Sequence, residues 1–164
     1  MTKEQYEKIS RPVRAPKPQK RLLAINKCLT YLGYAAYPAM LIYLFFAAVD
    51  RLPAAVIVPG SGFVLLTVIR RMINKPRPYE VLDIQPIIKK DTRGNSMPSR
   101  HVFSMTEIAM TAMIINPLAG TVLMFFSLCL AYIRVIGGVH YPADVAAGII
   151  SAVVWCGIGY TILL

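Results

Sequence analysis

Long stretches of this 164-residue chain carry no charge at all. Cys28 to Val49, Leu52 to Ile69 and Val145 to Leu164 are each uncharged over a length that crosses a bilayer as a helix, and no charge occurs between Glu107 and Arg134. With hydrophobic residues at 56% of the total, these runs exclude an ordinary water-soluble domain. Cysteine is scarce as well. Cys28, Cys129 and Cys156 make an odd count and all fall in apolar runs, which argues against a disulfide framework and reads as small apolar packing. Internal repeats are lacking. The one biased tract, Arg11 to Arg21, is rich in Pro, Lys and Arg and is expected to be an extended, solvated linker. No cleavable signal peptide is expected: the first apolar run is too long for one and meets Asp50-Arg51 instead of small residues, so it should stay as an anchor. Histidine is rarest among the chemically active residues, with only His101 and His140.

Asn116-Pro117 breaks the middle of the chain, giving one span from about Val102 to Ile115 and another from about Leu118 to Ile136. The expected fold is therefore an all-α integral-membrane bundle of about five transmembrane helices. Residues 1–26 form a basic N-terminal cytosolic or interfacial segment, and residues 27–164 the membrane domain. Within the first of these, Thr2 to Ile9 fits a short amphipathic helix with Tyr6 and Ile9 on one side. The third span is only roughly 15 residues, about 22 Å of helix, which points to a local thinning of the bilayer or a site sunk below the headgroups. Glu107 lies in that span off the face that carries His101, and is read as a protonated or hydrogen-bonded packing residue.

Five spans put the N-terminus, the Arg70 to His101 connection and the Arg134 to Asp144 connection on one side. Of 18 Lys and Arg, only Arg51 lies on the other, so the positive-inside rule predicts a multi-pass cell-membrane protein with its polar clusters on the cytoplasmic face. The basic N-terminus would rest on anionic lipid, each charge contributing about 1 kcal/mol. This accounts for a net charge of +10 without nucleic acid, for which the chain offers no aromatic and basic reading surface.

Three clusters break the apolar background. His140 and Asp144 are four residues apart at the start of the last helix, where Pro142 suits the first turn. Asp144 bonded to one ring nitrogen would fix the tautomer and aim the other as a nucleophile. Gly137-Gly138 lets Arg134 and His140 converge. At Pro98-Ser99-Arg100-His101, Pro98 would open the third span, with free N–H groups at Ser99 and Arg100 facing an anion and His101 able to protonate a leaving oxygen. The cluster Arg70 to Pro78 adds further cations, among them Arg70 and Arg77, whose planar forks suit phosphate oxygens. Two histidines and an aspartate also make a metal-ligand triad. Arg77, Arg100 and Arg134 argue against it, since they would raise the energy of a divalent cation by on the order of several kcal/mol and lower that of a phosphate. No metal or other cofactor is expected.

The clusters resemble the three signature motifs of the type 2 phosphatidic acid phosphatase superfamily, which includes the vanadium haloperoxidases: K-x6-R-P, P-S-G-H and S-R-x5-H-x3-D. Arg70-x6-Arg77-Pro78 has Arg for Lys, Pro98-Ser99-Arg100-His101 has Arg for Gly, and Arg134-x5-His140-x3-Asp144 follows Ile133 where the family has Ser. The resemblance implies a helical core of the acid phosphatase and haloperoxidase type. It further implies that His140 attacks phosphorus to form a phosphohistidine, that Asp144 orients it, and that His101 protonates the leaving alkoxide and then helps activate water. Arg70, Arg77, Ser99, Arg100 and Arg134 would hold the phosphoryl oxygens, Arg100 through its backbone N–H. Its side chain is expected to reach a second phosphate or a lipid headgroup. The implied activity is that of a metal-independent lipid phosphatase acting on phosphatidic acid, phosphatidylglycerol phosphate or a polyprenyl diphosphate. The alternative is a non-catalytic membrane protein that binds lipid phosphate, which would need neither the His140-Asp144 pair nor His101. Oligomeric state leaves no mark on the sequence.

Overall fold

The computed structural model of the protein describes residues 1–90 and 92–164, so Asp91 lies outside the described residues. Among these the regular structure is helical: α1 (Lys3–Ser10), α2 (Pro16–Ala47), α3 (Leu52–Ile73), α4 (Pro78–Val81), α5 (Arg100–Ile115), α6 (Pro117–Ile136) and α7 (Pro142–Leu163). Four stretches, Pro16–Ala47, Val49–Val81, Pro117–Ile136 and Pro142–Leu163, contain helix long and apolar enough to cross a membrane.

α5 is the fifth member of the bundle and its centre. It packs against α2, α3, α6 and α7, and Val102, Phe103, Met105, Thr106, Glu107, Ala109, Thr111 and Ala112 are all buried. At 16 residues it is about 24 Å long. Interhelical bonds Thr106–Ser127 (2.8 Å) and Thr111–Tyr160 (2.6 Å) tie it to α6 and α7, and Arg51 on α3's entry donates to Ile114 O at its far end (2.7 Å). The surrounding helices turn large apolar side chains outward, among them Phe46, Val64, Leu118, Phe125, Ile158 and Ile162, as lipid-facing surfaces do.

The linker expected over Arg11 to Arg21 is corrected by the structure. A short 3₁₀ turn spans Arg11–Val13, and α2 then begins at Pro16. Pro16 and Pro18 both fall in the first helical turn, where backbone N–H groups have no intrahelical acceptor, so proline is tolerated. α2 runs for 32 residues, about 48 Å, and its basic first turns extend beyond the apolar run. α1 starts at the Thr2 cap, whose hydroxyl accepts from Gln5 N (3.3 Å) while Gln5 returns the bond (2.9 Å). Its inward face is Tyr6 and Ser10, both fully buried; Ile9 is exposed, contrary to expectation.

The connection from α4 to α5 is pinned by apolar contacts. Ile87 and Ile88 enter the cluster formed by Leu22, Leu29, Met105, Leu130, Ile133, Ile136 and Val139, each side chain contributing about 1.5–3 kcal/mol where it leaves water. Ile88 N also donates to Gly137 O (3.1 Å). This connection is thereby laid across the ends of α3, α5, α6 and α7, where all three polar clusters emerge.

Candidate active site

α3 ends at Asn74, whose left-handed backbone (φ +40°) reverses the chain. Arg70, one turn earlier, donates to the carbonyls of Asn95 and Pro98 and so ties the end of α3 to the segment before α5. Arg77 makes the parallel link, Nε to Gly94 O and Nη1 to Val139 O, both 3.1 Å. Each guanidinium is thus oriented by backbone carbonyls from other elements, and both side chains are almost fully buried. Arg77 N and Gly94 N both donate to Glu80 Oε1 (2.9 and 2.8 Å), which closes the loop around them.

α5 begins at Arg100 after the Ser99 cap. Pro98 therefore precedes the helix and does not open it. Ser99 N donates to Asp144 O (2.8 Å), so this N–H, expected to face an anion, instead joins α5 to α7. The approach is close enough that a Cβ at Gly148 would sit 2.9 Å from Ser99 O. Ser99 Oγ is buried and has no partner among the described residues.

The α6–α7 turn carries the third cluster. Arg134 O accepts from Val139 N and His140 N, both 3.3 Å, folding the chain back on itself. Of the two glycines only Gly138 needs its freedom, at φ +78°, and Tyr6 of α1 packs directly over it. His140 Nδ1 lies 3.7 Å from Asp144 Oδ2, and both side chains are at most 1% exposed. The direct hydrogen bond expected from the spacing is replaced by a bridged arrangement. Ser96 Oγ lies 2.5 Å from Asp144 Oδ2 and 3.4 Å from His140 Nδ1. Asp144 also accepts from Lys75 Nζ (2.7 Å) and Tyr141 N (2.9 Å). With Nδ1 facing Ser96 and Asp144, the other ring nitrogen is left for the cavity that His140 lines. Burial pushes the His140 pKa down to about 4, helped by Arg77 and Arg134 and opposed by Asp144, so the ring is neutral at pH 7.

That cavity holds about 210 Å³ and is lined by Arg70, Arg77, Lys90, Thr92, Arg100, His101 and His140. Asp144 stands behind His140. Arg134 (4% exposed) and Ser99 (0%) are buried beside the cavity without being part of its wall, and Arg134 Nε has no partner among the described residues. Burial, then Arg77, Arg134, Arg70 and Arg100, lower the Lys90 pKa to about 8. So many cations around one small space favour a multivalent anion and disfavour a divalent cation. Lys90, Thr92, Ser96 and the Lys75 link were not anticipated. Lys75 sits inside the first cluster, but its partner was not legible, and the other three come from a connection with no periodic pattern.

A second cavity of about 280 Å³ adjoins the first. Leu29, Gly33, Tyr34, Phe63, Ile108 and Leu130 are among its lining residues, from α2, α3, α5 and α6, and it shares Arg100 and His101 with the cationic cavity. Glu107 lines neither. Its buried carboxyl group faces Gly62 of α3, where a Cβ would lie 2.2 Å from Oε1, and Oε1 has no hydrogen-bond partner among the described residues.

A helical membrane bundle with a cationic cavity at one end and an apolar cavity beside it is the architecture of a membrane-embedded lipid phosphatase. The chain belongs to the PAP2 superfamily, whose family model matches residues 52–164. Among solved structures it is similar to LpxE from Aquifex aeolicus, with 23% identity, a TM-score of 0.76, and coverage of 96% of this chain and 93% of that one. It is also similar to the first transmembrane PAP2 type phosphatidylglycerolphosphate phosphatase from Bacillus subtilis, with 20% identity, a TM-score of 0.69, and coverage of 97% and 84%. At these identities the likeness establishes a shared fold, extending over most of the chain that precedes the family match. A search of curated proteins finds no match.

Proposed function

We propose that the protein hydrolyses a lipid phosphomonoester or diphosphate through a phosphohistidine, with the phosphoryl group in the cationic cavity and the apolar tail in the adjoining one. The observation that carries this reading is that His101 and Arg100 line both cavities while His140 lines only the cationic one. A substrate spanning the two has its phosphorus before His140 and its leaving oxygen beside His101. His140 attacks phosphorus, forming the N–P bond as the P–O bond breaks, and His101 gives its proton to the departing oxygen. His101 then takes a proton from the water that attacks the phosphohistidine, and inorganic phosphate leaves. Asp144, held by Ser96, Lys75 and Tyr141 N, stabilises the charge that develops on the His140 ring. Arg70, Arg77, Lys90 and the Arg100 backbone N–H stabilise the charge on the phosphoryl oxygens, with Arg134 and Ser99 adding to the field from behind the cavity wall.

We further infer from the charge bias that the site faces the cytoplasm, with the basic start of α2 on anionic lipid. Phosphatidic acid, phosphatidylglycerol phosphate and polyprenyl diphosphates all have the required form. Phosphate release from this panel in the presence of chelator, compared between wild type and His140→Ala, tests the reading. Release by wild type alone supports it. Equal release by both proteins, or dependence on an added divalent metal, contradicts it.

A further inference from the structure

Arg100 differs from Arg70 and Arg77, whose guanidinium groups are bound to backbone carbonyls. Its Nε is buried with no partner among the described residues, as is that of Arg134, but Arg134 lies outside both cavity walls. The Arg100 guanidinium lies 5.3 Å from the centre of the Phe63 ring of α3, a cation–π contact that fixes where the group sits without using its donors. Among the described residues Arg100 is also the only Lys or Arg lining the apolar cavity, and with its neighbour His101 it lines the cationic cavity as well.

We propose that Arg100 binds a second phosphate on the leaving-group side of the scissile bond, making the protein selective for lipid diphosphates over monoesters. This rests on the function proposed above. With phosphorus before His140, the leaving oxygen lies toward His101, and the next atoms of the substrate pass Arg100 before they enter the apolar cavity. In a prenyl monophosphate those atoms are carbons of the tail, which leave the arginine without an anion to pair with. In a diphosphate they are the inner phosphate, whose two free oxygens match a guanidinium fork. The bond broken then joins the outer phosphorus to the bridging oxygen, the electron pair goes to that oxygen, and the lipid monophosphate leaves. Water attacks the phosphohistidine and releases inorganic phosphate, so the products are one lipid monophosphate and one phosphate. A glycine, the residue of the family pattern at this position, offers no such contact.

The test uses the full chain in detergent with a prenyl diphosphate and the prenyl monophosphate of the same tail, comparing wild type, Arg100→Gly and Arg100→Lys. Wild type is expected to prefer the diphosphate, with the monophosphate accumulating. Arg100→Gly should lower kcat/KM for the diphosphate by about tenfold more than for the monophosphate, mainly through KM, and Arg100→Lys should fall between. An equal loss on both substrates, or no loss on either, overturns the proposal. Calorimetric binding of methylenediphosphonate and of inorganic phosphate reads the same contact without turnover. Arg100→Gly should weaken the diphosphonate by the larger factor, and equal weakening overturns the role of Arg100 even if no lipid is hydrolysed. Absence of turnover with intact diphosphonate selectivity would instead count against the phosphatase reading alone.

Discussion

Lys75 Nζ lies 2.7 Å from Asp144 Oδ1, joining the chain just after α3 to the first turn of α7 behind the His140 ring. Ser96 holds the other carboxylate oxygen. Asp144 is therefore positioned by two side chains from outside its own cluster. Ser96→Ala removes a bond to a charged group, worth about 1.5–3 kcal/mol, and is expected to lower kcat on the order of tenfold to a hundredfold with little change in KM. Lys75→Met should act in the same direction, and Lys75→Arg should restore part of the loss. Steady-state kinetics on these variants checks the claim; a pure KM effect would place them on the substrate instead.

The pH dependence follows from His140. Because its pKa is pushed down to about 4, the ring is a neutral nucleophile above that pH and is lost to protonation below it. The acid limb of kcat/KM attributable to the nucleophile is expected near pH 4, well under the ordinary histidine value of about 6.5. A limb near 6.5 that moves with substitution of Asp144 would show a more solvated ring than the structure describes.

Lys90, lowered to about 8, is charged below that pH and neutral above it, so anion affinity should fall as pH rises through 8. Sulfate keeps its charge over this range and serves as a competitive inhibitor. Its inhibition constant is expected to rise across pH 8 in wild type and to lose that step in Lys90→Met.

Much of this architecture was legible because the apolar runs are bounded by charge. α3, α6 and α7 begin and end within a few residues of the expected limits, since Arg70-Arg71, Arg134 and Asp144 sit at their ends. α2 was misjudged at its start, where Pro16 and Pro18 look like linker residues but occupy a helical first turn. Short fixed spacings marked His140, Asp144, His101 and the arginines as candidates. Lys90, Thr92 and Ser96 carry no such mark, because the path of their connection is set by Ile87 and Ile88 packing beneath α2 and α6, a tertiary contact with no local pattern. Ser99 N–H was misassigned for the same reason: its acceptor, Asp144 O, is distant in sequence.

Gly138 links α1 to the nucleophile's turn. A Cβ there would lie 2.7 Å from Tyr6 Oη at φ +78°, so Gly138→Ala combines a left-handed penalty of about 1–2 kcal/mol with displacement of Tyr6. The expected outcome is a lower Tm and faster proteolysis of residues 1–15, together with reduced turnover. An unchanged Tm would mean that α1 is not seated on this turn.

For the membrane side, Arg93→Cys in a background with Cys28, Cys129 and Cys156 replaced by Ala places one thiol on the exposed connection beside the site. An impermeant thiol reagent is expected to leave it unlabelled in intact cells and to label it after permeabilisation. Labelling from outside would reverse the orientation inferred from the charge bias.

The covalent intermediate is the centre of the account. Wild-type protein incubated with a substrate labelled in its outer phosphate and quenched in base should retain label on the chain, acid-labile and mapped to His140, with none in His140→Ala. Turnover by wild type with no label on the chain at any quench time, or label retained by His140→Ala, would contradict it.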